Sequence, residues 1–255
     1  MVLHSWCVIT LGFLIGLMQA CSPSADKEGI QDEIGYEGSE AGTYTEALAL
    51  CKAGKYREGI LIANFLIKSN PKLEEVFYLK GQALNRLGAF PEALSALDKA
   101  LALKPDYCSA IATKGDVYQK QKDFEKARGI YDNALACNAT DWRVMVNVGT
   151  LLMKQKRFAD AIPYFDKALS IRPDNVDCIY DRAKSYYRVS QYKKAVTDCK
   201  RALILAPSDY EVYLVEGAAL TKLGSELDAT TCYQKVLQLN PSNKWAIKYF
   251  ASKHN

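Results

Sequence analysis

The stretch LEEVFYLKGQALNRLGAFPEALSALDKALALKP, from Leu73 to Pro105, contains the pattern that decides the fold. Its closing proline recurs at 34 residues or twice that spacing, at Pro71, Pro105, Pro173, Pro207 and Pro241. Ala139 takes the one vacant place in this series. A fixed period of this length is typical of a solenoid, in which similar units stack in one direction.

Small residues keep the same register inside each unit. One small position is occupied by Gly81, Gly115, Gly149, Ala183 and Gly217. A second is occupied by Gly59, Ala93, Ala127, Ala161, Ala195 and Ala229. Large side chains such as Phe77 and Leu97 lie four residues away from these positions, and spacings of three and four place residues on one helical face. We therefore expect two antiparallel helices per unit, which approach closely at the small residues.

Several independent positions keep phase, and on these residues the chain resembles the tetratricopeptide repeat (TPR) family. The resemblance covers six units, which we place at 42–241. It implies an all-α fold, a right-handed superhelical TPR solenoid of six helix-turn-helix repeats. Half a unit follows, with Ile247, Phe250 and Ala251 in phase, and this predicts a C-terminal capping helix near 243–253, within 242–255.

The repeat pattern also predicts the bounds of the individual helices. First helices are expected near 42–53, 74–87, 108–121, 142–155, 176–189 and 210–223. Second helices are expected near 57–69, 91–103, 125–137, 159–171, 193–205 and 227–239. Polar residues that precede first helices are expected to act as N-caps, and these are Asp106, Asp141, Asp174 and Ser208.

The N-terminus has the pattern of a targeting segment. Residues 8–18 are apolar but too few to span a bilayer as a helix, and Met18-Gln19-Ala20-Cys21 follows them. This order resembles a bacterial lipoprotein signal, which implies that 1–20 is a signal peptide and that Cys21 is lipidated. The alternatives are an ordinary signal peptide or a retained anchor, with Cys21 incidental. Ser22 follows the cysteine, and by the same resemblance this suggests the outer membrane, facing the periplasm. A secreted or inner-membrane-anchored protein is the alternative.

Charge is distributed unevenly between the next segment and the repeats. Residues 22–41 carry six acidic residues against Lys27, a net charge of −5, so the formal total of +4 leaves +9 for residues 42–255. The segment is rich in Ser, Gly and acids and poor in apolar residues, which is typical of disorder. We therefore expect 21–41 to be a disordered acidic tether before a basic repeat body.

Residues that would support catalysis are scarce. The chain contains two histidines, His4 and His254, and the first of them would leave with the signal peptide. The sequence has no phosphate-binding loop and no dinucleotide-binding fingerprint. We therefore expect no enzyme activity, with no catalytic residue, no metal and no cofactor.

Six cysteines remain when Cys7 and Cys21 are set aside, and none of them forms a Cys-x-x-Cys pair. A cysteine-based redox or metal carrier is therefore only the weaker alternative. Cys108 and Cys137 open and close one predicted hairpin. We expect two unlinked buried thiols there, because Cα atoms more than about 7 Å apart cannot be bridged. A disulfide is the alternative, since an export signal permits one.

The TPR resemblance also implies a binding surface, because first helices line a concave groove in that family. Carried over to this sequence, the groove positions are Tyr44, Leu48, Tyr78, Gln82, Asn85, Asp116, Asn147, Thr150, Tyr180, Lys184 and Tyr187. Position 13 of every unit is basic, and the residues there are Lys52, Arg86, Lys120, Lys154, Arg188 and Lys222. Such a stripe suits an acidic peptide or an anionic surface. The alternative is that these charges only solvate the helix ends.

These observations favour a non-catalytic protein–protein interaction scaffold. We expect a membrane-anchored lipoprotein that binds a protein or peptide segment in its groove and helps to assemble or localise an envelope complex. In its architecture the chain resembles the pilotin-like lipoproteins of type IV pilus assembly. A regulator of periplasmic cell-wall enzymes is the alternative within the same class. The pattern of the chaperone-binding TPR clamp is not matched, and export argues against a nucleic-acid partner for the basic body.

Overall fold

Thirteen helices and their connecting turns make up the part of the chain that the computed structural model describes, residues 42–252. These residues contain no strand, so the predicted all-α solenoid is confirmed. The predicted signal peptide 1–20 and the segment 21–41, with Cys21, lie outside the described residues.

The helices alternate as the repeat predicts. The first helices are α1 (Tyr44–Lys52), α3 (Glu74–Leu87), α5 (Cys108–Lys120), α7 (Trp142–Lys154), α9 (Val176–Arg188) and α11 (Tyr210–Lys222). The second helices are α2 (Tyr56–Ser69), α4 (Phe90–Leu103), α6 (Phe124–Cys137), α8 (Phe158–Ile171), α10 (Tyr192–Leu205) and α12 (Glu226–Leu239). Each second helix begins one residue earlier than predicted. The last helix, α13 (Lys244–Ala251), lies where the capping helix was expected.

Glycines mark the points where the two helices of a hairpin cross most closely. A Cβ atom on Gly115 would lie 2.5 Å from the Tyr131 ring, and one on Gly149 would lie 2.6 Å from the Phe165 ring. Both aromatic rings are fully buried. The small and large residues of the repeat therefore pack against each other as the sequence pattern predicts.

The turn inside every hairpin contains one residue in the left-handed backbone region. Glycine takes this position in three repeats, at Gly54, Gly88 and Gly224, with φ between 77° and 80°. The three middle repeats use Lys122, Lys156 and Ser190, with φ of 64°, 62° and 61°. The left-handed conformation costs about 1–2 kcal/mol for a residue with a Cβ. The turn geometry is therefore common to all six repeats, although its residue type is not.

Polar pairs 16 residues apart tie successive repeats together. A basic residue on a first helix contacts the second helix of the preceding repeat in Lys80–Asn64 (2.5 Å), Lys114–Asp98 (2.5 Å) and Arg182–Asp166 (2.7 Å). The last junction reverses the charges, because Glu216 takes the basic position and Lys200 takes the acidic one. Burial raises the pKa of Glu216, while its hydrogen bond with Cys232 and the charge of Lys200 oppose that rise.

The third hairpin is closed by a disulfide between Cys108 and Cys137, whose Cα atoms are 5.5 Å apart. The expectation of two unlinked buried thiols was therefore wrong. Cys108 begins α5 and Cys137 ends α6, so the antiparallel hairpin brings them within bridging distance. Cys137 is also exposed rather than buried.

Helix α13 covers the apolar end of the last repeat. Tyr249 stacks on Tyr233 with ring centroids 4.1 Å apart, and Ala246 is fully buried. The opposite side is only partly polar, since Trp245 is 68% exposed and Ile247 is 49% exposed. None of the helices within residues 42–252 has the length and apolar content needed to cross a bilayer.

Candidate functional site

The inner faces of the early first helices enclose a pocket of about 620 Å³, which we call the concave pocket. Helices α1, α3, α5 and α7 all contribute to its walls. Of the predicted groove residues, it brings together Leu48, Lys52, Gln82, Asn85, Arg86, Asp116, Lys120 and Asn147. Residues far apart in the sequence thus meet on one surface.

Asp116 is the centre of the hydrogen bonding in the concave pocket. Its Oδ1 accepts one bond from the Tyr131 hydroxyl and one from Asn147 Nδ2, each at 2.7 Å. Burial raises the pKa of Asp116, and these two bonds together with the charges of Lys120 and Arg86 oppose the rise. The Asn147 bond joins α7 to α5, so Asp116 also fixes the relative position of two repeats at the pocket.

Three cations are among the residues that line the concave pocket. The side chains of Lys52, Arg86 and Lys120 are exposed, and none of the three is in an ion pair within residues 42–252. Lys120 Nζ donates to the backbone oxygen of Asn85 at 2.9 Å. Its pKa is lowered, first by burial and then by the like charge of Arg86. Positive charge in the pocket therefore exceeds what Asp116 balances.

Asn85 forms part of the pocket wall and is only 6% exposed. Within the described part of the chain, its buried Oδ1 atom has no hydrogen-bond donor. A buried acceptor without a partner costs about 1–3 kcal/mol. This side chain is therefore the polar group of the pocket whose bonding the protein itself leaves incomplete.

A tyrosine cluster lies beside this region in the first three repeats. Tyr78 and Tyr107 have ring centroids 4.8 Å apart, and Gln82 Nε2 donates to the Tyr78 hydroxyl at 2.6 Å. Burial raises the pKa of Tyr107 to about 12, with smaller contributions from Tyr78 and Tyr44. The predicted Tyr44 and Tyr78 thus belong to one aromatic surface.

The remaining predicted residues lie on later repeats, outside the concave pocket, and most of them contact other side chains of the protein. The Tyr180 hydroxyl donates to Glu211 at 3.2 Å, and the Lys184 ammonium lies 4.9 Å from the Tyr180 ring centroid. Other contacts are Thr150 to Asp181 at 3.3 Å, the rings of Tyr187 and Tyr192 at 5.7 Å, and Arg188 to the Phe158 ring at 4.5 Å. Lys154 and Lys222 are exposed on α7 and α11. The predicted groove therefore divides into the concave pocket and a second region, in which most of the predicted side chains contact other residues of the protein.

Sequence reasoning missed eight residues of this surface. The concave pocket is also lined by Cys51, Tyr56, Leu79, Ala83, Thr113, Gln119 and Tyr131, and Tyr107 completes the tyrosine cluster. The Tyr131 ring is buried in the core, while its hydroxyl reaches Asp116. Tyr107 precedes α5, so a pattern restricted to first helices does not include it. Polarity at an otherwise apolar core position was the available signal for Tyr131.

The free thiols have little nucleophilic character. Burial raises the pKa of Cys178 and of Cys232 to about 12, and it also raises the pKa values of Cys51 and Cys199. A thiol with a raised pKa is mostly protonated at neutral pH and therefore reacts slowly. No group of three or more potential metal ligands occurs among residues 42–252. These features do not favour a cysteine-based carrier.

A repeated helical hairpin with a polar concave surface defines the class of protein. The sequence profile of the tetratricopeptide repeat family matches residues 44–107, 113–176 and 180–244, and the chain therefore belongs to that family.

Solved structures share the fold at low sequence identity. PilF from Pseudomonas aeruginosa is 16% identical with a TM-score of 0.73, covering 82% of this chain and 95% of that one. PilW, described as a widely conserved type IV pilus biogenesis factor, is 18% identical with a TM-score of 0.70, covering 81% and 96%. YrrB, described as a TPR protein with an unusual peptide-binding site, is 16% identical with a TM-score of 0.65, covering 83% and 100%.

Curated relatives match over a much shorter range. RNA polymerase II-associated protein 3 is 36% identical in the mouse (Mus musculus) form and 38% identical in the rat (Rattus norvegicus) form, over 63 residues. The match covers 25% of this chain and 10% of each relative. This likeness is limited to part of the repeat array.

Proposed function

We propose that this protein is a non-catalytic adaptor of a bacterial cell envelope, which holds a segment of a partner protein against its concave surface. The observation that carries the proposal is the concave pocket. It combines three cations that form no ion pair with residues 42–252, a buried amide whose oxygen has no donor in the same range, and an adjoining tyrosine cluster. Polar groups that the protein leaves unsatisfied on a concave surface are suited to complete their bonding with a ligand.

Two features support a location outside the cytoplasm. The N-terminal sequence resembles a lipoprotein signal that ends at Cys21. The Cys108–Cys137 disulfide also fits an oxidising compartment, since disulfides are rare in reducing ones. The description of PilW as a type IV pilus biogenesis factor agrees with a role in assembling an envelope complex, and the likeness to PilW is one of fold. We place the protein on the outer membrane, facing the periplasm.

Site-specific crosslinking in cells tests the binding surface. A photoreactive phenylalanine analogue at Gln82, in the concave pocket, should give a covalent adduct with a partner protein. The same analogue at Lys99, which is exposed on the second helix α4, is the matched control and should give no such adduct. Equal adducts from both positions, or none from Gln82, would contradict the proposed surface.

Fractionation tests the anchor separately. The Cys21→Ala variant should move from the membrane fraction to the soluble fraction, because a lipid anchor on this residue is the proposed attachment. A Cys51→Ala variant, which changes a cysteine of the repeat body, should stay with the membrane. Continued membrane residence of Cys21→Ala would exclude lipidation as the means of attachment and would leave the binding surface unaffected.

A further inference from the structure

The charges that line the concave pocket do not cancel. The pocket is lined by three cationic side chains, those of Lys52, Arg86 and Lys120, and by one carboxylate, that of Asp116. The excess is two positive charges. Like charges that line one pocket repel each other. Burial lowers the pKa of Lys120 most, and the like charge of Arg86 lowers it further. A bound anion would relieve this repulsion.

The position available to an anion is restricted by Asp116. This carboxylate is held in place by Tyr131 and Asn147, and it would repel a second carboxylate placed beside it. An anionic group is therefore directed toward the ammonium and guanidinium groups of Lys52, Arg86 and Lys120 and away from the Asp116 carboxylate, on which Lys120 and Arg86 also act. Arginine and lysine bind carboxylates through charge-assisted hydrogen bonds, which are roughly twice as strong as neutral ones.

Asn85 adds a requirement of the opposite kind. Its carboxamide oxygen is an acceptor without a donor in the described part of the chain, next to the point where Lys120 contacts the Asn85 backbone. The oxygen atom is itself buried, so a ligand N–H group reaches it only when the Asn85 amide turns toward the pocket. Such a bond removes the cost of the unpaired acceptor. The pocket is thus complementary to a ligand that carries a carboxylate and an N–H donor close together.

We propose that the concave pocket selects partner segments by an aspartate or glutamate side chain, whose carboxylate contacts Lys52, Arg86 and Lys120 while a neighbouring main-chain N–H donates to Asn85. Every residue of an extended peptide except proline carries such an N–H group. The inference rests on the proposed binding function of the groove and specifies what the groove recognises.

Selection from a library of random peptides tests the inference on the purified protein. Peptides that bind should share an acidic residue at one position. Replacing that residue with its amide, Glu→Gln or Asp→Asn, should weaken binding by about ten-fold or more, as expected for the loss of a hydrogen bond to a charged group. Binding of the acidic peptide should also weaken as salt concentration rises.

Protein variants assign the effect to the pocket. Arg86→Met and Lys120→Met should each lower the affinity for the acidic peptide. They should also reduce the difference in affinity between the acidic peptide and its amide form. Lys68→Met is the matched control, because Lys68 is exposed on the second helix α2 and lies outside the pocket, and it should change binding by less than about two-fold. Asn85→Ala should lower the affinity for both peptides, and the acidic peptide should still bind more tightly than its amide form.

The outcomes separate the two proposals. Selected peptides without a shared acidic residue, or binding that is insensitive to Arg86→Met and Lys120→Met, would overturn the proposed carboxylate recognition and leave the groove as a binding surface. Failure of any peptide to bind the folded protein would contradict the groove function and the recognition inferred from it.

Discussion

Gly115 and Gly129 lie in the same repeat, but their surroundings differ completely. A Cβ atom on Gly115 would lie 2.5 Å from the buried Tyr131 ring, whereas one on Gly129 has no neighbour within 4 Å. Gly115→Ala should therefore lower the free energy of unfolding by about 1–3 kcal/mol through overpacking. Gly129→Ala should raise it by about 0.5–1 kcal/mol, because alanine is the better helix former. Chemical denaturation of both variants checks the pair, and a stabilised Gly115→Ala would contradict the packing.

Asp116 should make stability depend on pH. Burial raises the pKa of its carboxyl group, so the folded protein retains a proton that the unfolded chain releases. The free energy of unfolding should therefore fall as pH rises from about 4 through the raised pKa. Asp116→Asn keeps an acceptor for Tyr131 and Asn147 but does not ionise. The free energy of unfolding of this variant should therefore not show the fall with rising pH that Asp116 causes.

Denaturation at several pH values measures this effect as the difference between wild type and Asp116→Asn. Asp123 is the control of opposite sign. The hydrogen bonds from Lys126 lower the pKa of Asp123, so its contribution should be present at neutral pH and lost as pH falls through the folded-state pKa. A difference for Asp116→Asn that does not vary with pH would contradict the raised pKa.

Single residues also show the limit of sequence reasoning. Asp141 caps α7 as predicted and accepts a bond from the Arg143 amide. The caps of α9 and α11 are Asn175 and Asp209, each one residue later than expected. Two polar residues stand side by side at both places, and the sequence contains no information that separates adjacent candidates for the same bond.

The α5–α6 hairpin is the element whose stability should be most sensitive to redox conditions. Cross-linking residues 29 apart in the chain restricts the unfolded state and is worth about 3–4 kcal/mol in the chain-entropy model. In a denaturant titration, the free energy of unfolding of a Cys108→Ser/Cys137→Ser variant should be lower than that of the wild type by this amount. Adding a reducing agent should destabilise the wild type to the same level and leave the variant unchanged. Equal stability of wild type and variant under oxidising conditions would argue against the bridge.

The hairpin turns show which elements a residue pattern can find. Gly54, Gly88 and Gly224 identify their turns directly in the sequence. Lys122, Lys156 and Ser190 adopt the same conformation without a glycine, so their turns follow only from the 34-residue period. Register determined the helices more reliably than residue type did.

At the scale of the whole molecule, α13 should act as a cap whose removal weakens one end of the array. Deleting residues 243–255 uncovers Tyr233, on which Tyr249 stacks, and should cost about 2 kcal/mol or more in lost apolar burial. Because each repeat contacts mainly its neighbours, hydrogen exchange should accelerate in α11 and α12 and remain unchanged in α3 and α4. Trp245→Gln changes an exposed residue of the same helix and should be nearly neutral. Uniform acceleration along the chain would contradict local capping.

The fold could be predicted from the sequence because a period repeated six times averages out local ambiguity. The concave pocket could be predicted only in part. Family register placed Asn85, Asp116 and Lys120 on the inner surface. It could not indicate which groove side chains have hydrogen-bond partners, as Tyr180 has in Glu211. Nor could it indicate that Asn85 Oδ1 has no donor among the described residues. That distinction depends on side-chain contacts between repeats, which periodicity does not encode.

The reversed charges of Glu216 and Lys200 have a consequence for how an array of near-copies avoids assembling in the wrong order. If the sixth hairpin docked on the second or the fourth, Glu216 would meet Asp98 or Asp166, and two carboxylates would lie side by side. Skipped or exchanged repeats are therefore penalised at this junction. The reversed signs of Glu216 and Lys200 thus favour docking of the last hairpin on the fifth one.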